Sequence, residues 1–135
     1  MESSTIPCAL AVDDDPLILM DMCCILEDAG FRCDSVDHGD AAKEMLPDRA
    51  ESITLLFSDV EMPGDTNGFA LAHHVAEHWP WIEIVIASGN VQPGPGDMPD
   101  KATFIGKPFS AAMVHEHLRE KLPDGKKPEP LRKTV

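Results

Sequence analysis

The chain has 135 residues, enough for one domain with a single apolar core, and it carries a formal net charge of −13. Its 43 % hydrophobic and 26 % charged residues are typical of a globular protein and argue against a disordered or membrane protein. Residues 1–100 hold 20 of the 24 acidic residues and three of the 11 basic ones, a balance that would repel the phosphates of nucleic acid.

Neither a bilayer-spanning segment nor a signal peptide is recognisable in the sequence. No uninterrupted apolar run approaches the roughly 20 residues that a transmembrane helix needs. The first residues, MESSTIP, lack the basic and apolar regions of a signal peptide. We therefore expect a cytoplasmic protein without a membrane partner.

Short apolar runs alternate with segments of helical spacing along most of the chain. In chain order we predict a strand at 6–12, a helix at 16–29, a strand at 31–36, a helix at 39–50, a strand at 52–59, a helix at 67–79, strands at 82–88 and 103–107, and a helix at 110–122. This order predicts an α/β fold, a doubly wound five-stranded parallel sheet with helices on both faces. We place one domain at residues 6–122, between a disordered N-terminus (1–5) and a disordered tail (123–135) that is rich in proline and charge.

The stretch between the last two predicted strands interrupts the alternation. Residues 92–99 contain three prolines and two glycines. Because proline inside a helix costs about 3 kcal/mol, the fourth helix expected at this point should be absent, short or mobile.

Polar residues follow the ends of four predicted strands. They are Asp13 and Asp14, Asp59, Ser88 and Lys107. Ligands of such sheets bind at the carboxyl ends of the strands, where these side chains should meet. Three carboxylates at close range need a cation, and oxygen ligands suit Mg²⁺. A carboxylate nucleophile, a metal ion, a lysine and a hydroxyl are the parts required for phosphoryl transfer onto an aspartate.

Five stretches, four of which contain these residues, resemble one known family. AVDDDPLI, LLFSDVEMPG, NGFALA, IVIASG and FIGKPFS occur in the order and near the spacing found in the receiver domain of two-component response regulators. The resemblance covers residues 6–122 and implies a flavodoxin-like receiver fold, here as a single-domain, stand-alone receiver.

The resemblance implies a function in a phosphorelay. Such a protein takes a phosphoryl group from a sensor histidine kinase or a phosphotransfer protein, and then signals by protein contact or serves as a phosphate sink. It is not an enzyme, apart from Mg²⁺-dependent catalysis of its own phosphorylation and dephosphorylation. The downstream partner would be a protein and not nucleic acid.

The resemblance also implies a metal site around the phosphoacceptor, Asp59. Mg²⁺ (or Mn²⁺) would be held by Asp14, by Asp59 and by the backbone carbonyl of Glu61. Asp13 would act through a water molecule. Four residues, GDTN, separate Pro63 from Gly68 where the family usually has three, so the loop beside the metal could differ in shape.

Three further residues would respond to the phosphoryl group. Ser88 would be the switch hydroxyl and Phe104 the switch aromatic, while Lys107 would contact the phosphoryl group. A cis peptide bond is expected between Lys107 and Pro108.

A partner surface is expected on the first predicted helix, against which kinases of the family dock. Leu19, Met20 and Cys23 occupy positions where receivers usually carry charge, so they could form an apolar docking patch. The alternative is a helix rotated so that these residues are buried.

Other functional classes remain open from the sequence. One is a pseudo-receiver, a phosphorylation-independent binding module with an unused pocket. Another is an aspartyl-phosphate hydrolase of the haloacid dehalogenase type, in which Glu61 has the spacing of the second acid. A flavin-binding, flavodoxin-like protein is weaker, because no Ser/Thr/Gly-rich loop follows the first strand.

Overall fold

The apolar runs of the chain form one five-stranded parallel sheet in the computed structural model, which describes residues 6–90, 92–128 and 131. In chain order the elements are β1 (Cys8–Val12), α1 (Pro16–Asp28), β2 (Arg32–Val36), α2 (Gly39–Arg49), β3 (Ile53–Asp59), α3 (Gly68–His78), β4 (Glu83–Ser88), β5 (Thr103–Gly106) and α4 (Ala111–Lys121). The strand order is β2-β1-β3-β4-β5. The predicted doubly wound α/β fold is therefore confirmed, while the expected disorder of residues 1–5 lies outside the described residues.

Each face of the sheet buries its own apolar cluster. The α2/α3 cluster contains Leu10, Leu46, Leu56, Leu71 and Ile86 among others. The α1/α4 cluster contains Ala11, Leu26, Phe57, Val114 and Leu118 among others. Because successive strand residues point to opposite faces and both faces are covered, the interior strand β1 is buried along its whole length.

Side-chain caps start three of the helices. Asp15 accepts from Leu17 N at 2.9 Å at the start of α1, and Asn67 accepts from Ala70 N at 2.8 Å at the start of α3. Ser110 accepts from Met113 N at 3.1 Å at the start of α4. Each cap satisfies a backbone donor that has no partner inside the helix. Within the described part of the chain, no helix is long and apolar enough to cross a bilayer.

The connection from β4 to β5 contains no helix among its described residues, 89–90 and 92–102. Instead, Asp97 N donates to Gly94 O at 3.1 Å and Ala102 N donates to Pro99 O at 3.0 Å, as in isolated turns. The prolines and glycines predicted this outcome, because they remove helical donors and add backbone freedom. The fourth helix in chain order, α4, is the one that follows β5.

Residues of the tail that we predict to be disordered, 123–135, contact the domain in the part that the structure describes. Lys126 Nζ donates to the Glu83 carboxylate at 2.8 Å, and Leu131 is 2 % exposed within the α1/α4 cluster. Burial of one leucine side chain contributes about 1.5–3 kcal/mol to the docking of this segment. Residues 129, 130 and 132–135 lie outside the described residues.

Replacing Gly68, the first residue of α3, should destabilise the fold next to the end of β3. A Cβ at this position would lie 2.0 Å from the backbone oxygen of Asp59, which cannot yield as a flexible side chain does. We expect Gly68→Ala to lower the free energy of unfolding by about 1–3 kcal/mol, measured by urea denaturation. The matched control is Gly106→Ala, where a Cβ meets nothing within 4 Å. Equal stability of the two variants would contradict the close packing at Gly68.

Candidate functional site

Four strand ends bring polar side chains together at the carboxyl edge of the sheet. Asp13 directly follows β1, Asp59 ends β3, Ser88 ends β4 and Lys107 directly follows β5. Asp13, Asp59 and Ser88 are 1 %, 6 % and 2 % exposed, so they are buried polar groups at the base of a cleft of about 430 Å³. Asp14, which also lines the cleft, is exposed. The sequence-predicted residues therefore lie in one site.

Lys107 is shared between two buried carboxylates. Its Nζ lies 2.9 Å from Asp13 Oδ2 and 3.0 Å from Asp59 Oδ1. Burial alone would lower the pKa of this ammonium group, but the hydrogen bonds that it donates to both aspartates, together with their negative charges, outweigh burial and raise its pKa. Lys107 is therefore a fixed positive charge at the base of the cleft.

The carboxyl group of Asp59 has an environment that disfavours its ionised form. Burial is the main reason that its pKa is raised above the ordinary value of 3.8, and the negative charge of Asp13 adds to the rise. The hydrogen bond from Lys107 acts in the opposite direction but does not cancel the effect of burial. Any positive charge brought to this cleft should therefore stabilise the carboxylate.

Three carboxylates are close enough to share a metal ion. Asp13, Asp14 and Asp59 each offer an oxygen atom, and these atoms lie within 4.8 Å of one another. The donor set contains only oxygen, which fits a hard divalent cation such as Mg²⁺ or Mn²⁺ better than zinc. Asp13 is held in place from its other side, because its Oδ1 accepts from Asp15 N at 2.9 Å.

The mouth of the cleft is formed by Glu61 and Asn90. Asn90 Nδ2 donates to Glu61 Oε1 at 3.4 Å, and Asn90 N donates to Ser88 Oγ at 3.3 Å. Lys107 N in turn donates to Ser88 O at 3.1 Å. The loops that follow β3, β4 and β5 are thus joined by hydrogen bonds around the acidic cluster.

The remaining residues that the sequence singled out lie beside the site. Phe104 on β5 is half-buried and packs against the α2/α3 cluster. The peptide bond between Lys107 and Pro108 is cis. Both residues therefore belong to the strand and turn that carry the Lys107 side chain into the cleft.

The apolar docking patch expected on α1 differs from the prediction. Met20 is 62 % exposed, but Leu19 and Cys23 are half-buried and pack against the α1/α4 cluster. Leu17, 74 % exposed, lies one turn before Met20 and was not predicted. The helix is rotated because its buried face is defined by Met22, Leu26 and their neighbours, which places Cys23 at the edge of that face.

The sequence did not identify Asp40 as a neighbour of the loop that carries Glu61. Its carboxylate accepts hydrogen bonds from Asp65 N and Thr66 Oγ1, residues 25 and 26 positions away. An acidic residue in the first turn of a helix is common, so no local signal distinguishes Asp40.

The pKa of Asp59 predicts how stability depends on pH in the absence of divalent cations. A raised pKa in the folded state means that the folded chain binds the proton more tightly than the unfolded chain. Stability should therefore fall as the pH rises through the interval between the ordinary pKa of 3.8 and the raised value. Above that interval, Asp59→Asn should raise the free energy of unfolding by about 1 kcal/mol.

Urea denaturation of both proteins across this pH range, in the presence of a chelator, measures the effect. The control is Asp48→Asn, which removes the same charge from an exposed position on α2. A wild-type chain as stable as Asp59→Asn at neutral pH would contradict the argument.

Comparisons with known proteins agree with this geometry. A family model, the response regulator receiver domain, matches residues 9–119. No curated protein matches the sequence. Among solved structures, a response regulator receiver protein from Sinorhizobium medicae WSM419 is 27 % identical with a TM-score of 0.79, over 87 % of this chain and 94 % of that one.

Two further solved structures share the fold. A CheY-like response regulator receiver domain protein from Methanospirillum hungatei JF-1 is 22 % identical with a TM-score of 0.76, over 90 % of this chain and 97 % of that one. The signal receiver domain of a signal transduction histidine kinase from Syntrophus aciditrophicus is 24 % identical with a TM-score of 0.72, over 86 % and 89 %. With the family model matching most of its length, the chain belongs to the response regulator receiver domain family.

Proposed function

We propose that the chain is a phosphoacceptor switch that takes a phosphoryl group onto Asp59. The observation that carries this proposal is the convergence of Asp13, Asp14 and Asp59 with a lysine that touches two of them. Family membership supports the same chemistry. The donor would be a phosphohistidine of a sensor histidine kinase or a phosphotransfer protein.

Asp59 would act as the nucleophile. One of its carboxylate oxygens attacks the phosphorus atom of the donor, and the bond from phosphorus to the imidazole nitrogen breaks. The imidazole leaves with the electron pair and takes up a proton, while the phosphoryl group becomes an acyl phosphate on Asp59. Burial supports this step, because a carboxylate with few water molecules around it loses less solvation when it attacks.

Lys107 and Ser88 would bind the oxygens of the transferred group. Lys107 Nζ already lies 3.0 Å from Asp59 Oδ1, so a small movement brings it to a phosphoryl oxygen. The Ser88 hydroxyl lies at the end of the neighbouring strand and can donate to another oxygen. Movement of Ser88 toward that oxygen would alter its contact with Asn90 N and so reach the β4–β5 connection.

The acidic cluster fits a divalent cation, which would be held by Asp14, Asp59 and the Glu61 carbonyl, with Asp13 acting through water. When bound, Mg²⁺ would supply positive charge that neutralises the charge developing on the phosphoryl oxygens. Asp14 supports this role because it is the exposed member of the cluster and can exchange water for the ion. The same residues would catalyse the loss of the phosphoryl group to water, and we propose no other enzymatic activity.

The output would be a change in the surface between Ser88 and Lys107. The connection between β4 and β5 has no helix among its described residues, so few regular hydrogen bonds resist its rearrangement. We infer that this connection orders or shifts when Asp59 is phosphorylated, and that the partner is a protein. A phosphate sink would use the same chemistry without this change. The acidic surface disfavours nucleic acid as the partner, and we expect the protein to act in the cytoplasm.

Intact mass after incubation with Mg²⁺ and acetyl phosphate tests the proposal. We expect the mass of one phosphoryl group to be added to the wild type, and no addition without Mg²⁺ or to Asp59→Asn. Asp48→Asn is the matched control and should be phosphorylated as the wild type is.

Two other outcomes have distinct meanings. A wild type that neither gains a phosphoryl group nor binds Mg²⁺ would refute phosphoacceptor chemistry and favour a pseudo-receiver. Sustained hydrolysis of phosphomonoesters would favour a hydrolase, with Glu61 as its acid/base residue.

A further inference from the structure

The loop that follows the candidate phosphoacceptor is fixed at both of its ends. Gly68 N donates to Val60 O at 2.8 Å, which closes residues 60–68 into a loop beside the acidic cluster. Glu61, near the start of this loop, lines the same cleft as the aspartates. Four residues separate Pro63 from Gly68, one more than the family usually has. A contact between these residues and another element would restrict the conformations of the longer loop.

Asp40, in the first turn of α2, supplies that contact. Its Oδ1 accepts from Thr66 Oγ1 at 2.5 Å and its Oδ2 accepts from Asp65 N at 3.1 Å. Thr66 is 3 % exposed, so this end of the loop is packed inside the protein. Hydrogen bonds to a charged acceptor are worth more than those between neutral groups, and here a single carboxylate makes two.

One glycine allows α2 and the loop to approach at backbone distance, and a second allows the loop to turn beside Asp40. A Cβ on Gly39 would lie 2.3 Å from Thr66 O. Gly64 has φ +94°, and a Cβ there would lie 2.5 Å from Asp40 Oδ2. The close approach of the two backbones thus requires glycine at position 39, and the positive φ favours glycine at position 64, so α2 and the loop meet beside the Asp40 carboxylate.

A simpler role for Asp40 would be to stabilise the start of α2 through the helix dipole. That role needs only the negative charge and leaves the carboxylate oxygens to water. Instead, both oxygens are used by the loop, and the hydrogen bond from Thr66 is the main reason that the pKa of Asp40 is lowered. The hydrogen bonds that Asp40 accepts therefore support the 60–68 loop and not the start of α2.

We propose that Asp40 is a positioning residue for the phosphoryl-transfer site. Through Asp65 and Thr66 it holds the 60–68 loop so that Glu61 stays at the mouth of the acidic cleft. The inference rests on the proposed function, because the position of Glu61 affects chemistry only if the neighbouring aspartates bind a cation.

Mg²⁺ titration by calorimetry of the unphosphorylated full chain, together with amide hydrogen exchange, tests this role. Asp40→Ala and Thr66→Val should each raise the Kd for Mg²⁺ about tenfold, the size of effect usual when support of a metal site is removed. Both should speed amide exchange in residues 61–67 and leave β3 unchanged. Because the two residues act as one contact, the double variant should bind Mg²⁺ no more weakly than the weaker single variant.

Two controls separate positioning from charge and from folding. Asp48→Ala removes the same charge from an exposed position on the same helix, and Thr66→Ser keeps the hydroxyl; both should bind Mg²⁺ as the wild type does. Thr66→Val changes no charge, so its affinity for Mg²⁺ tests the positioning role even if Asp40→Ala fails to fold.

The outcomes distinguish this inference from the proposed function. Wild-type affinity for Mg²⁺ in Thr66→Val would overturn the positioning role and leave the proposed function intact, whatever the effect of Asp40→Ala. A wild type that does not bind Mg²⁺ would refute the metal site and the positioning role together.

Discussion

The sharing of one lysine between two buried aspartates is the interaction on which the site depends. Lys107 directly follows β5, one of the two edge strands, and β4 separates β5 from β3. The ammonium group nevertheless reaches Asp59 on β3 and Asp13 after β1. The positive charge of one side chain at the edge of the sheet therefore contacts carboxylates at the ends of two interior strands, β1 and β3. Without the ammonium group of Lys107, the buried carboxylates of Asp13 and Asp59 would repel each other, with only water to screen their charges.

This arrangement places electrostatic repulsion at one edge of a well-packed sheet. The two apolar clusters hold the strands in register, and the strand ends then bring the acids together whether or not a cation is present. A buried carboxylate whose pKa is raised is less stable than it would be in water, and packing elsewhere offsets that cost. The fold, and not local flexibility, thus holds the Asp59 carboxylate where a positive charge would stabilise it.

Local sequence signals predicted the parts of the structure that depend on neighbouring residues. The apolar run before Asp13 indicated a strand, and the prolines of 92–99 indicated the loss of a helix. The convergence of Asp13, Asp59 and Lys107 followed from topology, because the ends of parallel strands meet at one edge.

Contacts between residues far apart in the chain could not be predicted in this way. Asp40 and Thr66 are separated by 26 positions, and their contact depends on how α2 packs beside the loop after β3. Leu131 belongs to a tail of mostly polar composition, yet its side chain is buried in the α1/α4 cluster. Leu19 and Cys23 lie at the edge of the buried face of α1, where helical periodicity does not decide between core and surface.

The β4–β5 connection has a consequence for how the chain can diverge. Its described residues form turns and not a helix, and His73 Nε2 on α3 contacts the backbone oxygens of Gly96 and Asp97. Residues 94–97 of this segment are held by their own turns and this one ring, whereas Met98 and Ala102 pack against the α2/α3 cluster. Substitutions at the exposed positions 92, 94, 95 and 97 can therefore accumulate without disturbing the α2/α3 cluster, so the surface of this segment can change while the acidic cleft stays the same.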